Sequence, residues 1–169
     1  MSIDNGSIEM KVEGLTLDPI TNMPIIILKD LDGKKTLPIW VGIFEANAIA
    51  LEMEKVGTPR PMTHDLIKNI LDGVEAKVNH ICVNDLKDNT FYANISVKVS
   101  GVDVDIDSRP SDAIAVALRM KAPIFVAAKV IEEARSFDVK TTEANIGDDD
   151  QWKKWLENLK PGDFGKIDQ

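Results

Sequence analysis

The stretch Val102–Met120, which reads VDVDIDSRPSDAIAVALRM, decides the fold class because two periodicities meet inside it. Apolar and acidic residues alternate from Val102 to Asp107, which is the pattern of a β-strand with one face in water. Beyond Pro110 the apolar residues fall three and four apart, as on one face of a helix, and proline suits a first helical turn. The stretch therefore predicts a strand that leads directly into a helix over Pro110–Met120.

The same order of elements is predicted twice along the chain. The string KVEGLTLD at Lys11–Asp18 is matched 66 residues later by KVNHICVN, and AIALEM at Ala48–Met53 is matched 67 residues later by AVALRM. The near-constant offset indicates an internal duplication. Each unit has one helix to cover three strands, so the two units have to share one core. We predict an α+β fold, a single domain of mostly antiparallel strands built from a duplicated β-β-β-α unit.

Periodicity and turn signals place the other elements. Thr63–Leu71 is predicted to be a helix that connects the two units, with Thr63 or Arg60 as its cap, and Asp107 or Ser108 is predicted to cap the later helix. The remaining predicted elements are strands or apolar runs at Ile8–Leu15, Met23–Leu28, Thr36–Val41, Ala76–Val83, Phe91–Val99 and Ile124–Val126, and a helix at Glu45–Glu54.

The composition of the chain changes near its C-terminal end, which divides it into a main domain over 1–134 and a C-terminal part over 135–169. Thr141–Asp150 is polar and acidic and is predicted to be a linker. Gln151–Leu159 is predicted to be a helix with two tryptophans at helical spacing, which docks on the main domain or on a second subunit. The three aspartates before it either cap this helix or belong to a calcium loop. The residues around them lack the spacing of oxygen ligands that a calcium loop has.

Composition bounds the class of protein. The 169 residues, 44% of them hydrophobic, suffice for one domain with a core, which excludes a disordered chain and a disulfide scaffold. No apolar run reaches the roughly 18–20 residues of a membrane-spanning helix. Cys82 is the single cysteine and no basic-then-apolar leader opens the chain, so we expect the cytoplasm. The net charge of −8 argues against nucleic-acid binding unless a basic patch or divalent cations offset it.

The densest group of polar residues lies where the last long helix begins, and it includes Asp107, Arg109 and Asp112. These residues either cap and salt-bridge the start of the helix, or line a cleft in which the carboxylates hold a divalent cation and the guanidinium binds phosphate. Glu45 takes the place of Asp112 in the first unit. The two acids therefore either face one another or each cap their own helix.

Two further patterns are candidate sites. The predicted strand has an acidic face that carries Asp103, Asp105 and Asp107. Like charges in a row repel unless water or a cation screens them, so this face is either solvated or a cation site. His64 is a candidate general base or metal ligand, and Asp65 a candidate metal ligand or substrate-orienting group. Adjacent helix positions point about 100° apart, so these two are not expected to form one dyad. Two histidines and one cysteine exclude a structural zinc site.

Four motifs give the chain a family resemblance. They are LPIWVGIFEANAIA, PRPMTHDLI, DLKDNTFYA and DSRPSDAIAVALR with APIFVA, at 37–50, 59–67, 85–93, 107–119 and 122–127. The chain resembles the bifunctional nuclease family, small bacterial and plant proteins long described as a domain of unknown function. The resemblance covers about 8–134 and departs where LEMEKVG replaces an expected LEG-like helix end. It implies an α+β domain, often self-associated, and a divalent-cation-assisted nuclease that acts on DNA and RNA.

The resemblance places seven charged or hydroxyl residues at motif positions, and with Arg60 they form the predicted site. The predicted catalytic residues are Asp107, Asp112, His64, Asp65 and Glu45, the predicted substrate-binding residues are Arg109, Arg60 and Ser111, and the predicted ligands of Mg²⁺ or Mn²⁺ are Asp107 and Asp112. In this hypothesis the cation activates water, and the arginines hold the nucleic-acid backbone.

Two other functions remain open on the sequence. The acidic charge and the C-terminal helix also fit a non-enzymatic regulatory or scaffold module that works through an oligomer interface. A small ligand bound between the two units is the third possibility. The expected partners are DNA or RNA as substrate and a second copy of the chain in a homodimer, with no membrane.

Overall fold

Seven strands and four helices make up residues 6–138, the part of the chain that the computed structural model describes, with side chains through residue 134. The strands are β1 (Ser7–Leu17), β2 (Pro24–Asp30), β3 (Thr36–Trp40), β4 (Lys77–Lys87), β5 (Thr90–Val99), β6 (Val102–Ser108) and β7 (Ile124–Ala127). The helices are α1 (Ile43–Met53), α2 (Thr63–Gly73), α3 (Pro110–Met120) and α4 (Ala128–Asp138). The predicted acidic linker and Trp-bearing helix lie outside the described residues.

All seven strands join one sheet in the order β3-β2-β1-β7-β4-β5-β6. Every neighbouring pair is antiparallel except β4 and β7, which are parallel. Two three-stranded meanders thus flank β7, and each meander leads into a helix, α1 or α3. The predicted α+β class, the single domain and the mostly antiparallel sheet are confirmed. That the two halves are copies of one unit stays a prediction.

Tight turns with left-handed residues connect the strands within each meander. Gly33 has φ 72° in the β2–β3 turn, and the Asp30 carboxylate closes this turn by accepting the backbone N–H groups of Lys34 and Lys35 at 2.6 and 2.9 Å. In the β5–β6 turn Ser100 and Gly101 have φ 49° and 84°. In this second turn, positive φ at both central residues matches the twist of the flanking strands, which helps to fix their register.

Small side chains allow α1 and α3 to lie close together above the sheet. Ala46 and Ala50 of α1 and Ala113 and Ala117 of α3 are all buried. The two helices pack on each other, and α3 also covers β4 and β5. Because both helices start after the third strand of their meander, this packing brings two helix N-termini into one region of the surface.

The helix caps differ from those predicted. Met62, not Thr63 or Arg60, precedes α2. The Met62 backbone N–H donates to the carboxylate of Asp65, a residue of the first helical turn, at 2.9 Å. Arg109, not Asp107 or Ser108, precedes α3 and makes no side-chain cap hydrogen bond. The cap predictions were therefore wrong: α2 begins one residue earlier than a Thr63 cap would place it, and α3 begins one residue later than a Ser108 cap would place it.

The apolar face of β6 lies at the edge of the sheet beyond the cover of α3. Val104 and Ile106 pair in register with the buried residues Val97 and Ile95 of β5, yet 44% of each remains exposed. An edge strand has a neighbour on one side only, so this row stays open. No helix in the described part of the chain is long and apolar enough to cross a membrane.

Candidate functional site

The adjoining starts of α1 and α3 bring two carboxylates onto one guanidinium. Glu45 and Asp112 each occupy the third position of their helix, although they are 67 residues apart. Arg109 Nη1 lies 2.8 Å from Glu45 Oε1, while Arg109 Nε and Nη2 donate to the two oxygens of Asp112 at 2.7 and 3.1 Å. This fork geometry, with two acids held by one arginine, fixes the guanidinium plane.

His64 extends this cluster from the first turn of α2. Its Nε2 lies 2.9 Å from Asp112 Oδ1, and because a carboxylate accepts, Nε2 donates. In a neutral imidazole with this tautomer, Nδ1 is the acceptor nitrogen. The His64 side chain is only 9% exposed, whereas that of Arg109 is 65% exposed. The arginine is thus the outermost member of the cluster, and the histidine lies behind its carboxylate.

Hydrogen bonds keep Asp112 and Arg109 ionised. Partial burial on its own raises the pKa of Asp112, but hydrogen bonds from Arg109 and His64 outweigh this effect, and the pKa lies below its usual value. The hydrogen bond to Asp112, followed by the contact with Glu45, raises the pKa of Arg109. The cluster therefore presents a permanent cation whose charge is offset by neighbouring acids.

Asp65 belongs to a second ion pair that lies beside the first. Arg119, whose side chain is 3% exposed, donates from Nε to Asp65 Oδ1 at 2.6 Å. Its other nitrogens donate to the carbonyl oxygens of Ala115 and Ala48, both at 3.0 Å. A pocket of about 300 Å³ opens onto this pair between the C-terminal end of α1 and the start of α2. This pair joins α3 to both neighbouring helices.

Three predicted site residues stand apart from the cluster. Asp107 is exposed on β6 opposite Asn94 in the register, and no contact between it and the cluster is found among the described residues. Ser111 is buried within the first turn of α3, and Arg60 is exposed in the loop before α2. Glu45, His64, Arg109 and Asp112 lie in contact in one cluster, while Asp65 pairs with Arg119.

The predicted divalent cation has no preformed cage of three or more ligands among the described residues. Within the described residues, no three His, Cys, Asp or Glu side chains are grouped so that they could hold a metal ion. Both oxygens of Asp112 are engaged by Arg109, and one also by His64. We therefore derive no chemical step through a metal ion. What the cluster offers is a positioned guanidinium and an imidazole aligned by a carboxylate.

Two residues of this region were not recognised in the sequence. Arg119 is a basic residue among the apolar positions of α3, which is the signal that could have found it, because a buried arginine needs an acidic partner. Gly42 lies next to Glu45, and the carboxylate of Glu45 occupies the space that a β-carbon at residue 42 would fill. A glycine three residues before a first-turn acid was the available signal.

The Asp65–Arg119 pair predicts a loss of stability in acid. Burial alone raises the pKa of Asp65, but the hydrogen bonds from Arg119 and from the Met62 N–H lower this pKa by more than burial raises it. The folded-state pKa therefore lies below the usual value. The unfolded chain then binds protons at higher pH than the folded chain, and this contribution, present above about pH 4, is lost as pH falls through the folded-state pKa. Urea unfolding between pH 5 and 2 should show a shallower decline for Asp65→Asn. Equal declines would contradict the prediction.

Comparisons with known proteins agree on one family. A family model described as the bifunctional nuclease domain matches residues 26–138. An uncharacterized protein of Mycobacterium tuberculosis is 34% identical over 162 residues, which covers 92% of this chain and 97% of that protein. Bifunctional nuclease 2 of Oryza sativa subsp. japonica is 28% identical over 68% of this chain and 36% of its own length. Bifunctional nuclease 1 of Arabidopsis thaliana is 33% identical over 61% of this chain and 33% of its own length.

The fold and the cluster define a class of α+β domain in which two helix starts bring acids, an arginine and a histidine to one surface. Within that class the chain belongs to the bifunctional nuclease domain family, because the family model covers well over half of it. The plant relatives are named as bifunctional nucleases, and for this chain those names support only a proposed function.

Proposed function

We propose that the chain is a nuclease that hydrolyses phosphodiester bonds in DNA and RNA at the cluster formed by Glu45, His64, Arg109 and Asp112. One observation carries the proposal: an exposed arginine is held in place by two acids, and one of these acids also aligns a histidine. A guanidinium matches two phosphate oxygens, and an imidazole paired with a carboxylate is a common general base. Membership of the family supports the same chemistry.

In the proposed reaction each residue has a separate role. Arg109 binds the phosphodiester through its guanidinium. Asp112 accepts the Nε2 hydrogen bond of His64, which leaves Nδ1 to take a proton from water as the water oxygen bonds to phosphorus. The bond from phosphorus to the leaving oxygen breaks, and the proton passes to that oxygen. Glu45 holds Arg109 in position through its 2.8 Å contact.

The proposal is tested by incubating purified protein with labelled single-stranded DNA and RNA, with Mg²⁺, with Mn²⁺ and with EDTA. We expect cleavage in the wild type, and no cleavage under any condition would contradict the proposal. Asp72→Asn is a matched control, because Asp72 is an exposed acid of α2 that pairs with Lys68. The requirement for Mg²⁺ or Mn²⁺ stays a prediction, and so do the roles of Asp107 and Asp112 as its ligands. Cleavage in EDTA would contradict this requirement.

The alternative function is a self-associating regulatory module. The open apolar row of β6, together with the exposed Leu66 and Ile70 of α2, is the type of surface that such a module uses. The homodimer and the cytoplasmic location stay predictions. Light scattering at micromolar concentration tests self-association, and a monomer would count against this alternative.

A further inference from the structure

Gly42, the residue before α1, has the Glu45 carboxylate where any other residue would carry its β-carbon. A β-carbon built on Gly42 would lie 3.1 Å from the Glu45 carboxyl carbon and 3.6 Å from Oε1, and closer still to Oε2. Oε1 is the atom that contacts Arg109. The carboxylate therefore holds Arg109 while it is folded back over the start of its own helix, in a position that only glycine leaves open.

The backbone does not require glycine at this position. Gly42 has φ −70° and ψ 158°, an extended conformation that every residue adopts without strain. The three atoms nearest to a β-carbon at residue 42 all belong to the end of the Glu45 side chain, which is flexible and can move away. A substitution at residue 42 therefore displaces this carboxylate and leaves the fold in place.

We infer that Gly42 is a positioning residue, which acts through Glu45 to hold the Arg109 guanidinium in the orientation that receives a phosphate. The inference deepens the proposed nuclease function and rests on it. Arg109 is largely exposed and has two anchors, Asp112 and Glu45. When the Glu45 carboxylate is displaced, the contact of Arg109 with Asp112 remains, but the contact that holds Nη1 is lost, and the guanidinium is held from one side only. Substrate binding then weakens, while the His64–Asp112 pair that moves the proton stays intact.

The first experiment compares kcat and KM of wild type, Gly42→Ala and Gly42→Ser on a labelled oligonucleotide. We expect KM to rise about threefold to fivefold in both variants, with kcat changed less than about twofold, because an exposed ion pair contributes modestly. Serine is favoured before a helix and alanine is not, so Gly42→Ser separates displacement of Glu45 from loss of a cap. Gly73→Ala is the matched control, since a β-carbon there meets no atom within 4 Å.

A double-mutant cycle shows whether the effect passes through Glu45. In the Glu45→Ala background no carboxylate remains to be displaced, so Gly42→Ala should leave KM unchanged. An effect of Gly42→Ala that persists there, or a wild-type KM in both Gly42 variants, would overturn the inference. A crystal structure of Gly42→Ser separates this inference from the proposed function. A carboxylate moved off Arg109 supports the positioning even if the protein cleaves no nucleic acid, and an unmoved carboxylate refutes it.

Discussion

Replacing His64 with glutamine or Asp112 with asparagine is expected to lower kcat for phosphodiester cleavage by about 10²- to 10⁴-fold, the usual contribution of a general base. Glutamine fills the buried position of His64 but takes no proton from water. Asparagine keeps the shape of Asp112 but loses the charge that aligns the imidazole 2.9 Å away and anchors Arg109. Both changes should leave KM less affected than kcat.

Initial rates on labelled DNA and RNA measure this effect, and thermal unfolding of each variant shows that it has folded. Asp72→Asn changes an acid on the same helix as His64 without touching the cluster, so it should retain the wild-type rate. A folded His64→Gln variant with more than half of the wild-type kcat would show that the proton is taken by another group.

Replacing Arg119 with methionine is expected to reduce the free energy of unfolding by about 3 kcal/mol, because one partner of a buried ion pair is removed. Methionine keeps the apolar stem of the side chain, but Asp65 is left with a charge that no guanidinium offsets. The carbonyl oxygens of Ala48 and Ala115 also lose a donor. Since Asp65 is 33% exposed, water relieves part of the loss, and we expect the lower end of the usual range.

Urea unfolding at neutral pH measures this loss. Arg109→Met is the matched control, because Arg109 also pairs with acids but is exposed, and it should change the free energy of unfolding by less than about 1 kcal/mol. Arg119→Met combined with Asp65→Asn should recover part of the stability, since no unpaired charge remains. Equal unfolding midpoints for Arg119→Met and the wild type would contradict the prediction.

The sequence located most of the elements because local pattern is sufficient for them. Alternation predicted the strand that begins at Val102, and apolar spacing predicted α3 with the bounds that the structure has. The helix starts were less predictable. Capping depends on where the backbone leaves the extended region, and a residue type such as Thr63 or Ser108 signals this position only to within a residue or two.

The candidate site was only partly predictable for a different reason. Arg109 and Asp112 are three residues apart on one helix start, so their pairing follows from helix geometry. Glu45 and His64 join them only because α1 and α2 pack against α3. Asp107 seemed equivalent to Asp112 in the sequence, but its strand carries it to the edge of the sheet.

The amino-acid sequence by itself determined the α+β class, the order of strands and helices and membership of the family, because periodicity and motifs are local properties of the chain. Tertiary structure alone decided which charges of different elements meet. Asp65 is paired with Arg119, Glu45 contacts Arg109, and His64 contacts Asp112. The physical reason is that periodicity fixes which face of an element is buried. Which buried faces touch is set by the packing of helices and strands far apart in the chain.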